Sequence, residues 1–375
     1  MDEENAPHAP TSFRVEQPRE VAEIKECMAK AWGIARKLTH NPAPNPVSLH
    51  RSHLPQIKTT PYVVAEKTDG VRYVLVLGRF TELRQQYAVL VDRAFTMYQI
   101  QVFAPKDFFY GSVFDGEMVW NKEQRCFMFL VFDAVAVKGR SVRKANFLER
   151  YRTITDSFLS QSEWGQRNID QLEEATDAAL QFAKTGKIVA IPDNTSPCVF
   201  LYTKPCVKLE LFGSLARSIS SLEHDSDGFI FTPINAPVMR NTHAHMFKWK
   251  YHPTIDLELC ATDSEIVYRC QDGANAVSLQ QAFPNYDFVC SMGAAFTFKK
   301  NEKFIIETSV HVTSESLGGK PQITCKFHRF RTDKTTANHC RTIRDILREV
   351  VENITLKELI NLSSPNQTSL VESSM

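Results

Sequence analysis

The run Lys67-Thr68-Asp69-Gly70-Val71-Arg72 sets an amine, a carboxylate, a glycine and a guanidinium side by side. It lies between two apolar runs of strand type, Tyr62 to Ala65 and Tyr73 to Leu77, so a short turn at Gly70 would present Lys67 at the end of a rigid strand. A lysine held that way is a candidate nucleophile. Attack needs the neutral amine, whereas a free lysine with a pKa of about 10.4 is protonated at neutral pH. Neighbouring cations destabilise the ammonium, and Arg72 is the first such neighbour in the chain. Standing alone, the run can equally be a charged hairpin.

Further polar clusters follow in a definite order. Asp115-Gly116-Glu117 precedes Met118-Val119, Phe132-Asp133 ends the apolar run Phe127 to Val131, and Asp227-Gly228 opens the run Phe229-Ile230-Phe231. Lys248-Trp249-Lys250 and Arg331-Thr332-Asp333-Lys334 come last. Each has an ordinary reading by itself. Glu117 and Asp133 can satisfy turns at strand ends, Phe132 can be a core aromatic, and Lys248 with Lys250 can be one solvated strand face. As an ordered set behind a K-x-D-G-x-R run, they carry more weight than any one of them alone, with Asp227 at a strand entrance as the first candidate to offer hard oxygen to a divalent ion.

This order resembles the covalent nucleotidyltransferases, the capping guanylyltransferases and ATP-dependent polynucleotide ligases. The finer wording is similar to the cellular mRNA capping enzymes. Pro46-Val47-Ser48-Leu49 resembles that family's segment upstream of the lysine, Lys204-Pro205 its guanine-side loop, and His252-Pro253-Thr254-Ile255-Asp256 its link into a barrel. Arg331 to Asn338 resembles its last motif. The resemblance implies that Lys67 carries GMP, that Arg72 and Glu117 meet the ribose, that Phe132 stacks on guanine, and that Lys204 donates to the base oxygen, with Lys208 as a competitor. It assigns Lys248 and Lys250 to the α-phosphate and Arg331, Asp333 and Lys334 to the β and γ phosphates, closing from the barrel. Asp227 is the implied ligand of Mg2+ or Mn2+.

The expected activity is therefore that of an mRNA guanylyltransferase, which moves GMP from GTP through lysyl-N-GMP to a 5′-diphosphate RNA end. The alternative is an ATP-dependent DNA or RNA ligase with the same lysine chemistry. A third class, a nucleic-acid binder using the barrel alone, is suggested by eleven Lys/Arg against five Asp/Glu from Phe298 to Arg348. It leaves Lys67 to Lys250 unexplained. The spacing of Cys followed six residues later by Arg occurs at Cys325 and Arg331, but within and at the end of the strand-type run Gln322 to Phe330 and with no glycine between them to form a phosphate loop. No Walker-type loop occurs, so a separate RNA 5′-triphosphatase is an expected partner. The phosphorylated C-terminal domain of RNA polymerase II is a further candidate partner.

Upstream of Lys67, Val21, Ile24, Met28, Ala31, Ala35 and Leu38 predict a helix over Arg19 to Leu38. Short β-type runs follow at Tyr87 to Val91, Phe127 to Phe132 and Phe229 to Phe231; helical periodicity covers Phe147 to Phe158 and Gln171 to Lys184, with Gly186 as a stop. From Thr254 five strands are predicted, at Ile255–Ala261, Glu265–Cys270, Phe288–Phe298, Phe304–Val312 and Gln322–Phe330, then a helix carrying Ile343 to Ile354. The expected fold class is α+β: a nucleotidyltransferase domain of antiparallel sheets with flanking helices, of the ATP-grasp-like ligase and capping type, then an OB-fold β-barrel. The bounds are a flexible start over 1–18, the nucleotidyltransferase domain over 19–253, the OB-fold domain over 254–340, a C-terminal helix over 341–362 and a disordered tail over 363–375.

With 375 residues, 43% hydrophobic and 23% charged, the chain has material for two cores. Its 44 Lys+Arg against 43 Asp+Glu mean that an anionic partner must be met by a local patch rather than by bulk charge. Nine scattered cysteines without a C-x-x-C pair indicate neither a disulfide framework nor a zinc cluster, and His243, His245 and His252, in a stretch read as turn-rich, are not taken as a metal site. No apolar run is long enough to span a bilayer, so no membrane role is expected. The expected location is the nucleus, with a cytoplasmic viral factory as the alternative.

Overall fold

A computed structural model describes residues 10, 12–82, 84–102, 104–123, 126–167, 199–262, 266–292, 299, 302–315, 319–332 and 334–362, the side chains of 158–167, 200, 314 and 315 excepted. The predicted helix over Gln171 to Lys184, the site residue Asp333 and the tail over 363–375 lie outside the described residues, as does most of 1–18.

The chain begins with β1 (Phe13–Arg14) and α1 (Pro18–Trp32). Proline suits the first turn of α1, where its missing N–H has no partner to lose. The helix stops at Trp32, short of the predicted Leu38. Gly33 turns left-handed with φ +61°, and Gly33 and Ile34 donate their N–H groups back to Lys30 and Ala29. Next come β2 (Asn45–Ser48), α2 (Leu54–Thr59), β3 (Tyr62–Thr68), β4 (Val71–Arg79), β5 (Gln86–Val91), β6 (Met97–Gln99), β7 (Ser112–Asn121), β8 (Cys126–Val137), β9 (Arg140–Ser141) and α3 (Phe147–Arg167). Then follow β10 (Phe200–Thr203), β11 (Cys206–Lys208), α4 (Phe212–Ser218), β12 (Ser226–Pro233) and β13 (Thr242–Lys250). The stretch with His243 and His245, read as turn-rich, is thus a strand. The last elements are β14 (Thr254–Ala261), β15 (Ile266–Asp272), β16 (Asn275–Ser278), α5 (Leu279–Ala282), β17 (Asp287–Ser291), β18 (Lys303–Glu315), β19 (Pro321–Phe330), α6 (Cys340–Glu352) and α7 (Leu356–Leu362). The architecture is mixed α+β and rich in sheet.

Two compact units result. The first is Met1–Val47 with Thr60–Phe247, and the second is Ser48–Thr59 with Lys248–Met375. In the first unit one sheet runs β1-β6-β5-β4-β7-β8-β10, with β9 attached to β8. Its strands alternate faces: Val74 and Val76 of β4 face the core that holds Ile24, Met28 and Trp32 of α1, whereas Leu75 and Leu77 join Phe114, Phe129 and Ile154. Burial on both faces explains why β4 reads as a continuous apolar run. A second sheet has the order β11-β3-β12-β13-β2 and carries Lys67 on β3.

The second unit has a sheet ordered β16-β15-β14-β18-β19-β17, antiparallel apart from the parallel pair β17 and β19. It has six strands where five were predicted, the addition being β16, a short strand whose Asn275 and Ala276 lack the apolar alternation that marks the others. The apolar stripe of α6, with Ile343, Ile346 and Leu347, packs into the core formed by Leu257, Ile306 and Val310. Cys270 and Cys340, free thiols in that core, have their sulfurs 3.1 Å apart. No described helix is long and apolar enough to cross a membrane.

Candidate active site

Lys67 lies near the end of β3, opposite Gly228 of β12, while Thr68 pairs with Ser226. Asp227 is therefore the extra residue of a β-bulge, and the bulge re-aims its side chain. Lys67 Nζ donates to Asp227 Oδ1 at 2.7 Å. The Ser226 hydroxyl donates to the Lys67 carbonyl at 3.0 Å, and the Asp69 N–H donates to the Asp225 carbonyl at 2.8 Å, so both strands are pinned where the pair forms. The turn after β3 needs its glycine: a Cβ on Gly70 would stand 2.4 Å from the Met118 carbonyl oxygen and 2.9 Å from Val119 Cγ1.

Arg72, on β4, is opposite Glu117 of β7. Its fork grips Asp115 through Nε to Oδ1 at 2.9 Å and Nη2 to Oδ2 at 2.6 Å, and Nη1 donates to Asn45 Oδ1 at 3.3 Å. Glu117 is half-buried; burial pushes its carboxyl up, against the opposing pull of Lys204, Lys67 and Arg72. A cavity of about 190 Å³ opens beside Arg72 and is also lined by Asn41, Asn45, Tyr73 and Arg93.

A second bulge exposes Phe132. Asp133 pairs with Asp115 and Val131 with Gly116, which leaves Phe132 unpaired on β8 with its ring half-buried. The Arg72 guanidinium lies 5.5 Å from the ring centroid and the Lys204 ammonium 5.6 Å. Asp133 beside it forms a buried two-bond pair with Arg150 of α3, at 2.7 and 2.8 Å, which fixes this part of β8. Lys204 follows β10, which runs parallel to β8, and its N–H donates to the Val131 carbonyl at 2.8 Å. Its side chain is 4% exposed; Nζ donates to Thr68 Oγ1 and lies 3.3 Å from Glu66 Oε1. Lys208, the competitor for the same role, is exposed on β11.

The first unit thus brings together Lys67, Arg72, Glu117, Phe132, Lys204 and Asp227. Cations were expected around Lys67; the hydrogen-bond partner the fold supplies is a carboxylate, and Arg72 is engaged with Asp115. Glu66, His224 and Arg150 were not singled out from the sequence. A signal for Glu66 did exist: strand alternation puts it with Tyr62, Val64 and Thr68 on the buried face, where an acid needs a partner.

In the second unit Lys248 and Lys250 flank buried Trp249 on β13 and so share a strand face. Glu349 of α6 is buried next to them; burial raises its carboxyl, opposed by the Ser48 hydroxyl and the charges of Lys248 and Lys250. Arg331 and Lys334 converge on buried Asp256, with Arg331 Nη1 2.9 Å from Oδ1 and Lys334 Nζ on Oδ2. Asn338 Nδ2 donates to the same Oδ2 at 3.2 Å. Among the described residues no group of three or more His, Cys, Asp or Glu is arranged to hold a metal, and the His245 N–H donates to His243 Nδ1 at 3.2 Å.

Two family models match the chain: the mRNA capping enzyme catalytic domain over residues 14–252 and the mRNA capping enzyme C-terminal domain over residues 234–360. The chain belongs to the mRNA capping enzyme family. Among its relatives in that family, the mRNA-capping enzyme subunit alpha of Neurospora crassa is 25% identical over 93% of this chain and 90% of its own length. That of Schizosaccharomyces pombe is 24% identical over 92% and 84%. The mRNA-capping enzyme of Caenorhabditis elegans is 25% identical over 85% of this chain and 48% of its own. A solved structure described as mycobacterial DNA ligase D complexed with ATP and MES is 12% identical, with a TM-score of 0.34 over 79% of this capping-enzyme chain and 96% of its own; likeness at that level decides nothing.

Proposed function

We propose that the protein is an mRNA guanylyltransferase that uses Lys67 as nucleophile. The observation carrying this reading is that Arg72 and Lys204 both approach the Phe132 ring, at 5.5 and 5.6 Å, while the Lys204 ammonium is held by Thr68, the neighbour of Lys67, in a chain of the capping family. In the first half-reaction the Lys67 nitrogen forms a bond to the α-phosphorus of GTP while the bond to pyrophosphate breaks. The attacking nitrogen must present a lone pair, so its donation to Asp227 describes the arrangement before attack, and Asp227 Oδ1 is an acceptor at hydrogen-bond distance for the proton it sheds. In the second half-reaction an oxygen of the RNA's terminal phosphate attacks the same phosphorus, the N–P bond breaks, and Lys67 is regenerated as GpppN forms.

Arg72 and Glu117 are assigned to the ribose, Phe132 to stacking on guanine, and Lys204 rather than exposed Lys208 to the base oxygen. Lys248 and Lys250 are assigned to the α-phosphate, and Arg331, Asp333 and Lys334 to the β and γ phosphates. Among the described residues no cluster of three or more ligands accompanies Asp227. It is assigned to a divalent ion of the hard, oxygen-seeking kind, which would take one or two carboxylates and complete its shell with substrate phosphates and water. Such an ion, Mg2+ or Mn2+, would neutralise phosphate charge when bound. In this reading residues 19–253 are the nucleotidyltransferase domain, 254–340 an OB-fold domain and 341–362 a C-terminal helix. A separate 5′-triphosphatase supplies the RNA diphosphate end, the phosphorylated C-terminal domain of RNA polymerase II is a candidate recruiter, and the nucleus is the place of work.

The test is retention of label after denaturation, following incubation with magnesium and α-labelled GTP or ATP. Label from GTP, lost in Lys67→Ala, is the expected result. Label from ATP alone would make the protein a ligase, and a Lys67→Ala variant that still acquires label would remove Lys67 as nucleophile.

A further inference from the structure

We propose that Glu66 is a positioning residue for base selection: its buried carboxylate fixes the Lys204 ammonium, and through it the preference for guanine over adenine. The proposal rests on the reading of Lys204 as the residue that meets the base.

Four side chains carry it. Glu66 is 3% exposed, and a single oxygen, Oε1, gathers the Thr68 hydroxyl, the Lys204 ammonium at 3.3 Å and His224 Nε2 at 3.2 Å. A carboxylate only accepts, so the His224 Nε2 facing it carries the hydrogen. The other oxygen, Oε2, is buried with no hydrogen-bond partner among the described residues. A carboxylate whose sole task was to hold the fold together would be expected to use both oxygens. Here all the contacts fall on the side of Lys204. Burial works to raise the Glu66 carboxyl, yet His224, Lys204 and Thr68 outweigh it and hold it at about 2, so the group is an anion throughout the physiological range.

The consequence for Lys204 follows from counting donors. An ammonium has three N–H groups and no acceptor. One goes to Thr68 and one faces Glu66, which leaves one for a ligand at the Phe132 ring, 5.6 Å away. Guanine presents an acceptor oxygen at the position where adenine presents an amino donor, so an ammonium held there favours guanine and opposes adenine. Without Glu66 the ammonium on its flexible four-carbon stem keeps Thr68 as hydrogen-bond partner but loses the anion beside it, and a donor that wanders discriminates less.

The experiment uses the full chain, with enzyme–nucleotide formation from α-labelled GTP and ATP measured over a range of concentrations. Glu66→Gln keeps the size and removes the charge. The expected result is a KM for GTP raised about tenfold, a rate at saturating GTP within about twofold of wild type, and a GTP-to-ATP preference reduced about tenfold. A general loss of active protein would scale both nucleotides alike, so the ratio isolates positioning. A folded Glu66→Gln enzyme with the wild-type ratio, alongside a Lys204→Gln enzyme whose ratio has fallen, overturns the proposal and leaves the reading of Lys204 standing. A Lys204→Gln enzyme with an undiminished ratio overturns both. Should Glu66→Gln fail to fold, Glu66→Gln/Lys204→Gln, which removes both charges at once, is compared with Lys204→Gln. Equal ratios are expected, and a lower ratio in the double variant would show Glu66 acting on the base without Lys204, contrary to the proposal.

Discussion

Lys67 and Arg72 each hold an aspartate, and the two pairs differ in what their loss should cost. The Arg72–Asp115 pair is inside the protein, with Asp115 only 3% exposed on its side chain. Arg72→Ala leaves a buried carboxylate without its counter-charge and should lower stability by about 3–5 kcal/mol in urea unfolding. The side chains of Lys67 and Asp227 are 21% and 23% exposed, so water shares in that pair. Asp227→Asn should therefore change stability by about 1 kcal/mol or less, while enzyme–GMP formation falls about a hundredfold or more. Similar stability losses in both variants would contradict this division between a structural pair and a reactive one. Because the Glu66 carboxyl is held at about 2 against an ordinary 4.5, it contributes stability above its unfolded value, and that contribution drains away as pH falls from 4.5 towards 2. Wild type should lose more Tm than Glu66→Gln between pH 5 and pH 3; parallel acid limbs would show that the folded carboxyl is not depressed.

The turn from β3 to β4 and the bulges of β8 and β12 turn a stretch of sequence into a site. Gly70→Ala forces a methyl group against the Met118 carbonyl oxygen, 2.4 Å away, and the clash is with backbone, which cannot rotate aside. It should cost about 1–3 kcal/mol and also cut enzyme–GMP formation, because relief requires the turn that follows Lys67 to part from β7. Unchanged stability by denaturant titration would mean that the turn opens without strain. The strands themselves were legible, since Tyr62 to Ala65, Tyr73 to Leu77 and Phe127 to Phe132 are apolar enough to announce themselves. The bulges were not. That Asp227 and Phe132 are the extra residues depends on the partner strand, β3 for the one and β7 for the other, and no local pattern encodes the register of a distant partner. The end of α1 at Gly33 was within reach of a sequence reading, but the apolar periodicity continues past it to Leu38 and outweighed the glycine.

Over the whole chain, the order of motifs from Lys67 to Lys334 was readable, whereas the membership of Ser48–Thr59 in the second unit was not: the partners of Arg51, Glu352 and Glu358, are some 300 residues further on. About 265 residues separate the proposed nucleophile from the basic residues assigned to the terminal phosphates, and the two-step reaction offers a way to separate their work. The β and γ phosphates of GTP are present only until pyrophosphate leaves. A residue whose task is to bind them matters before that moment and has nothing to hold afterwards, whereas a GMP carried on Lys67 would take part in both steps. Lys334→Ala should therefore reduce enzyme–GMP formation about tenfold or more, while transfer of preformed enzyme-bound GMP to diphosphate RNA stays within about twofold of wild type. Removing Lys334 also relieves Asp256 of one partner but leaves it Arg331 and Asn338, so the fold of the second unit should survive the change. Rapid-quench measurement of the two half-reactions on the same preparation checks this, and an equal loss in both would show that Lys334 does not act through the departing phosphates.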